Sequence, residues 1–252
     1  MAIAYSEDYL LNGKVKILQP LDGYRASIDA VLLAAAADLR TDGLKILDVG
    51  SGTGAVSLCL AHRLQNKKAE IIGIDIQEEL VELANLSATA NGFANLRYIC
   101  ADIRKSSKDL PISPNTFDAV ISNPPYGYHD MPSPNKSKAY AHNLDDYNLE
   151  KWLAFCLKMT KPFGKIYIIN RAEALPQICA SLHDKAGAIE VLPLYSKSQQ
   201  TAKRVIIAAQ KTSKSPGRIL PGFVLHGEDG NYTENTEKIL RGGLSFADVI
   251  NI

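Results

Sequence analysis

The chain has 252 residues, 46% of them hydrophobic and 22% charged, which suits one large domain with its own core and excludes a disordered, collagen-like or membrane-embedded protein. Its longest apolar run, Ala30–Ala37, is far short of the ~20 residues that span a bilayer. The start of the chain, with Glu7 and Asp8, lacks the basic and apolar regions of a secretory leader, so a cytoplasmic protein is expected. The net charge of +1 conceals a pattern: residues 1–126 hold 12 Lys and Arg against 15 Asp and Glu, residues 127–222 hold 14 against 7, and residues 223–252 hold 2 against 5.

In chain order, Ser27 is placed to cap a helix over Ile28–Leu39, with Asp29 in the first turn where the helix dipole favours an anion. From Lys45 onward, strand-length apolar runs alternate with stretches of helical period, the pattern of a parallel sheet covered on both faces. Strands are predicted at Lys45–Val49, Glu70–Asp75, Leu96–Ala101, Phe117–Asn123 and Lys165–Asn170. Helices are predicted at Gly54–Leu64, Glu78–Asn91, Leu149–Thr160 and Glu173–Ala186. Two further strands, Ile189–Tyr195 and Arg204–Lys211, are joined by too short a link for a crossover helix and should be antiparallel. Gly127–Asp145 has no period and the length of a functional loop. A short strand at Phe223–His226 and a helix after Thr233 close the chain. The expected fold is a doubly wound α/β, mostly parallel seven-stranded sheet in a single domain over 1–252. Its parts are an N-terminal segment (1–44), a Rossmann-like core (45–211) and a C-terminal extension (212–252).

The chemistry concentrates at strand ends. Asp48-Val49-Gly50-Ser51-Gly52-Thr53-Gly54 joins a strand to a helix, and its glycines allow a sharp turn and close approach of a ligand to the backbone. The G-x-G-x-G spacing departs from the G-x-G-x-x-G of dinucleotide oxidoreductases, which disfavours that class. Asp75 ends the second strand, where a carboxylate meets a ribose, and Asp102 follows the third, where one can accept from the exocyclic amine of adenine. One adenosyl ligand at this sheet edge would touch all three sites. The fourth strand ends in Asn123-Pro124-Pro125-Tyr126. An asparagine side-chain carbonyl and a neighbouring backbone carbonyl can both accept from one planar –NH2, directing its lone pair toward a methyl donor. Tyr126 is positioned to stack on a flat base or amide.

Together these motifs resemble the Rossmann-like S-adenosylmethionine-dependent methyltransferases that act on planar nitrogens. The flanks, Gln19–Leu33, Arg204–Ala208 and Gly227–Thr233, resemble the bacterial family that methylates adenine N6 in a valine tRNA next to the anticodon. The resemblance implies S-adenosylmethionine as cofactor and S-adenosylhomocysteine as product. It places Gly50, Gly52 and Gly54 against the methionine portion, Asp75 with Ile76 at the ribose, and Asp102 with Ile103 at the adenine. Asp29 and Asp48 are candidates for the cofactor's amino end, and Asp48 also for ordering the loop. Asn123, Pro124 and Tyr126 are the expected catalytic residues, with Pro125 and Tyr126 against the substrate.

A basic block suggests RNA as partner, with Lys136, Lys138, Lys203 and Arg204 as leading phosphate contacts and Lys197, Lys211, Lys214 and Arg218 as further ones. No metal is expected: the four cysteines lie far apart without histidines at ligand spacing, and read as reduced structural residues. His129 and His142 read as surface residues. Protein-glutamine N5-methyltransferases share the N-P-P-Y tetrapeptide but carry a helical substrate domain ahead of the cofactor loop, where this chain has 44 residues before Lys45. That activity, another RNA exocyclic-amine methyltransferase and a non-catalytic RNA-binding protein stay open as alternatives.

Overall fold

Apolar strands flanked by amphipathic helices assemble into one large sheet in a computed structural model describing residues 3–23, 25–39, 41–106, 108–125 and 148–250. The chain begins with a hairpin, β1 (Tyr5–Leu10) and β2 (Val15–Pro20), and then forms α1 (Ile28–Ala36). The Rossmann-like succession follows: β3 (Lys45–Val49), α2 (Ala55–Arg63), β4 (Glu70–Asp75), α3 (Glu78–Ala90), β5 (Leu96–Cys100) and β6 (Phe117–Ser122). After α4 (Leu149–Met159) come β7 (Thr160–Arg171), α5 (Leu175–Leu182), β8 (Ala186–Tyr195) and β9 (Arg204–Lys211). Two-residue strands β10 (Arg218–Ile219) and β11 (Phe223–Val224) and helices α6 (Glu234–Leu240) and α7 (Phe246–Val249) complete the description.

The sheet runs β10-β8-β9-β7-β6-β3-β4-β5, with β11 also on β8. The seven strands expected in the sheet are all present; the short strand expected at Phe223–His226 forms as β11, and with β10, which was not anticipated, it extends the sheet to nine along the outer edge of β8. Strands β5, β4, β3, β6 and β7 are mutually parallel, while β9 is antiparallel to both β7 and β8. Alternation along the strands splits the core in two. Ile46, Ile71, Tyr98 and Ile121 face the layer of α1, α2 and α3, whereas Leu47, Ile72, Val120 and Ile168 face α4 and α5.

The predicted helix over Glu173–Ala186 is shorter: a 3-10 turn at Ala172–Ala174 leads into α5, and β8 has begun by Ala186. The hairpin was not anticipated, because one face of β1 is left exposed and its apolar signal is weak. Tyr5 and Tyr9 are 47% and 57% exposed. Its turn signal is nevertheless present, since Leu11, Asn12 and Gly13 all take positive φ, and Asn-Gly is the favoured pair for such a conformation. The hairpin buries Val15 and Ile17 against α2 and α3, and the Asn91 side chain bonds both the N–H and the C=O of Lys16 (2.8 and 2.7 Å). No helix among the described residues is long and apolar enough to cross a membrane.

Candidate active site at the carboxyl end of the sheet

The glycine loop leaves β3 with Gly50, Gly52 and Gly54 at φ of 72°, 54° and 87°, values that carry a steric cost for any residue with a Cβ. Gly50 and Ser51 donate their N–H groups to the Ile74 carbonyl (2.9 and 3.0 Å), and Gly54 N–H closes the turn on the Ser51 carbonyl (2.8 Å). Gly54 is also the residue from which α2 starts. Within this turn the buried hydroxyls Ser51 Oγ and Thr53 Oγ1 find no hydrogen-bond partner among the described residues. Buried polar atoms are normally satisfied, so two orphans on one loop are what a polar ligand would complete.

The loop rests on an aromatic side chain from each layer. On one face the Trp152 ring, from α4, lies so close to Gly50 that a Cβ there would meet it at 2.7 Å. On the other, Tyr98, from β5, occupies the space where a Cβ on Gly54 or Gly73 would sit, at 2.2 and 2.3 Å. Trp152 Nε1 also donates to Ser122 Oγ (2.9 Å), which in turn donates to the Val49 carbonyl (2.6 Å), tying the end of β6 to the end of β3. Neither aromatic was anticipated as part of the site. The only signal in the sequence was that Trp152 is the chain's single tryptophan.

The acids divide into three situations. Asp48 is 1% exposed and turns beneath the loop, accepting from Ser57 Oγ at 2.8 Å, and burial pushes its carboxyl up to about 7. The contact with Ser57 ties the end of β3 to the first turn of α2. Asp75 accepts from Gly52 N–H (2.8 Å) and Gln77 N–H (2.9 Å). Burial pushes its carboxyl pKa up and these backbone donors oppose the rise. A carboxylate offers about four lone-pair sites, so both oxygens keep capacity for hydroxyls. Asp102 is gripped by Arg104, whose Nε and Nη2 each donate at 2.8 Å, and this contact holds its carboxyl below the usual range. An incoming amine must share Asp102 with that guanidinium. Ile76 and Ile103, directly after the two acids, are half-buried, and the Ile76 carbonyl accepts from the thiol of Cys100 at 3.5 Å.

Asn123 follows β6 and is half-buried, Pro124 is buried and Pro125 exposed. The pairing of Val49 with Ser122 sets this exit beside the glycine loop. Tyr126, Lys136, Lys138, His129 and His142 lie outside the described residues. Asp29, with Ser27 as N-cap, accepts from Arg204 Nε at 3.1 Å. This ion pair joins the start of α1 to the start of β9. Because Arg204 pairs with Arg171 at the end of β7, both Arg204 and Lys203 lie at the site edge. Lys203 is exposed there and has no ion-pair partner among the described residues. Lys197, on the same link, donates to the Glu228 carbonyl at 3.3 Å.

The rest of the basic block is sorted differently. Lys211 ends β9 at the opposite edge, about 23 Å away along a strand, and its amine bonds Asn115 and the Thr160 carbonyl. Lys214 follows it there, and Arg218 is held by Glu190 midway along β8. The antiparallel course of β9 thus sets Lys211 at the edge opposite Lys203, with Arg218 between the two edges. Among the described residues no group of three or more His, Cys, Asp or Glu is arranged to hold a metal.

Three glycines at positive φ, two orphaned hydroxyls and acids at successive strand ends fit a nucleoside bearing a polar tail. Comparison with known proteins agrees with that fit. The chain is 31% identical over 158 residues to a tRNA1(Val) (adenine(37)-N6)-methyltransferase from Porphyromonas gingivalis, a match spanning 61% of each protein. It is 27% identical over 213 residues to the enzyme of that name from a Shewanella species, covering 84% of this chain and 88% of that one. The solved structure of a predicted O-methyltransferase from Agrobacterium tumefaciens shares the fold, with a TM-score of 0.73 at 22% identity over 89% of this chain and 100% of that one. A family model described as a methyltransferase domain matches residues 40–219, and with the loop, acids and strand exits just described, the chain belongs to that methyltransferase-domain family.

Proposed function

We propose that the chain is an S-adenosylmethionine-dependent N-methyltransferase acting on the exocyclic N6 of adenine in tRNA near the anticodon. The observation that carries this reading is the exit of Asn123-Pro124 from β6 directly beside the glycine loop of β3, with Val49 and Ser122 in register. When bound, the cofactor supplies an electrophilic methyl group. The residues of the chain do the rest by positioning. The glycine loop and Asp75 hold the donor, with Asp102, Ile76 and Ile103 around its base. Asp29 and Asp48 serve its amino end, and the N-terminal segment, residues 1–44, covers it.

At the acceptor, the Asn123 side-chain carbonyl and the Pro124 carbonyl accept from the amine and hold its lone pair in line. Tyr126 and Pro125 clamp the plane of the base. No strong base is required, because an adenine amine is almost unprotonated at neutral pH and its surplus proton leaves after attack. A target in an anticodon loop is cheap to splay out of its stack. Lys203 and Arg204, two strands across from Asn123 and two to three residues further along, about 12–14 Å away, are placed for phosphates flanking the target, and Lys136 and Lys138 are further phosphate contacts in this reading.

The testing experiment is labelled methyl transfer to total tRNA and, in parallel, to release factor protein, with digestion of both products. N6-methyladenosine in the tRNA digest supports the reading. Label confined to a protein glutamine would replace the substrate, and the absence of transfer to either would remove the activity.

A further inference from the structure

Beneath the glycine loop lies a set of buried polar groups that touches the proposed donor site only from below. Ser57 Oγ, on the first turn of α2, has one proton and three oxygens around it: Asp48 Oδ2 at 2.8 Å, Tyr98 Oη at 3.0 Å and the Gly54 carbonyl at 3.3 Å. Tyr98 Oη donates to the same Gly54 carbonyl at 3.2 Å. Asp48, Ser57 and Tyr98 are 1%, 0% and 5% exposed, so no water shares these contacts from outside. A phenol or hydroxyl buried this deeply is costly unless partnered, and the partners of both are one another, Asp48 and the loop carbonyl. A phenylalanine would fill the space under Gly54 and Gly73 equally well, so packing alone does not call for the Tyr98 hydroxyl.

The mechanical consequence runs through Gly54. Its carbonyl accepts the first backbone bond of α2 from Leu58 N–H (2.8 Å) and is braced from below by the Tyr98 and Ser57 hydroxyls, while its N–H closes the turn on Ser51. Gly54 thus anchors the turn that presents the unpartnered Ser51 Oγ and Thr53 Oγ1. Without the Tyr98 and Ser57 hydroxyls the carbonyl rests on the Leu58 N–H bond alone, and the turn with its own two hydroxyls is less firmly fixed.

We propose that Ser57 and Tyr98 are positioning residues for the methyl donor, fixing the glycine loop from its buried side through the Gly54 carbonyl and Asp48. This rests on the reading of the loop as the cofactor site. The test compares wild type with Tyr98→Phe and Ser57→Ala by calorimetric titration with S-adenosylmethionine and S-adenosylhomocysteine, thermal unfolding, and steady-state methylation of tRNA. The expected result is a donor dissociation constant raised about tenfold in each variant. Turnover at saturating donor and KM for tRNA should stay within twofold, and the double variant should be less impaired than the product of the singles, because the two hydroxyls act as one unit. A lowered melting temperature with donor affinity within twofold of wild type in both variants would show the hydroxyls to be merely structural and overturn the proposal. Wild-type protein that binds neither cofactor form would instead overturn the cofactor reading itself, a failure visible before any variant is compared.

Discussion

The two halves of the sheet present their polar groups in opposite ways. On the β3–β4–β5 side, carboxylates and carbonyls are clasped by backbone amides and buried hydroxyls: Asp75 by Gly52 and Gln77, Asp48 by Ser57, Gly54 by Tyr98. On the β7–β9–β8 side the charges sit on long side chains at or near the surface, bonded to a carboxylate, as Arg204 is to Asp29 and Arg218 to Glu190, or exposed without an ion pair among the described residues, as Lys203 is. The first half holds its polar groups in fixed contacts, as would suit a small cofactor that must present one atom accurately. The second offers adjustable charge, as suits a polyanion whose phosphates vary in position.

Substitutions should separate the halves. The largest effect belongs at their junction: Asn123→Ala removes an acceptor of the amine and should lower turnover about 100-fold or more, with donor affinity changed far less. Full methyl transfer by that variant would remove the mechanism. Next, Asp75→Ala strips the loop of a backbone anchor and the ribose of its acceptor. Donor affinity should fall about 10- to 100-fold, in line with ~1.5–3 kcal/mol for a hydrogen bond to a charged group, with tRNA affinity unaltered in a filter-binding assay.

A third test uses pH. With the Asp48 carboxyl raised from 3.8 to about 7 by burial, the folded protein keeps a proton that the unfolded chain releases between those values. Stability therefore falls as pH rises through that window and levels above about 7. Asp48→Asn removes this term, so its stability relative to wild type in urea titrations should grow, by a few kcal/mol in order of magnitude, from about pH 4 to pH 7. Parallel curves for the two proteins would contradict the raised carboxyl. The smallest effect is expected in the distal half. Lys203→Ala should weaken tRNA binding two- to fivefold and reduce the slope of log K against log salt by about 1, whereas Lys211→Ala, at the far edge, should leave that slope unchanged. Equal effects of the two would dissolve the distinction between the edges.

The strands of the first half were legible in the sequence because each is a short apolar run closed by an acid or by Asn-Pro. β3, β4 and β9 carry their expected bounds. The glycine turn and the place of Asp75 at the end of β4 were legible for the same reason: both depend on local spacing. What could not be read is what arises between distant segments. Tyr98 and Trp152 look like ordinary apolar residues until β5 and α4 are brought against the two sides of one loop. The grip of Arg104 on Asp102 depends on a rotamer rather than on a pattern, and the opposite placement of Lys203 and Lys211 follows only once β9 is known to run antiparallel to β7.

The single tryptophan lends the molecule a built-in optical probe. Trp152 is 8% exposed and lies directly beneath Gly50, so a molecule settling on the glycine loop alters the surroundings of the only indole in the chain. Its fluorescence reports occupancy of that loop without a label, in wild type and in every variant that keeps residue 152, and separates an empty loop from a filled one while the reaction is running.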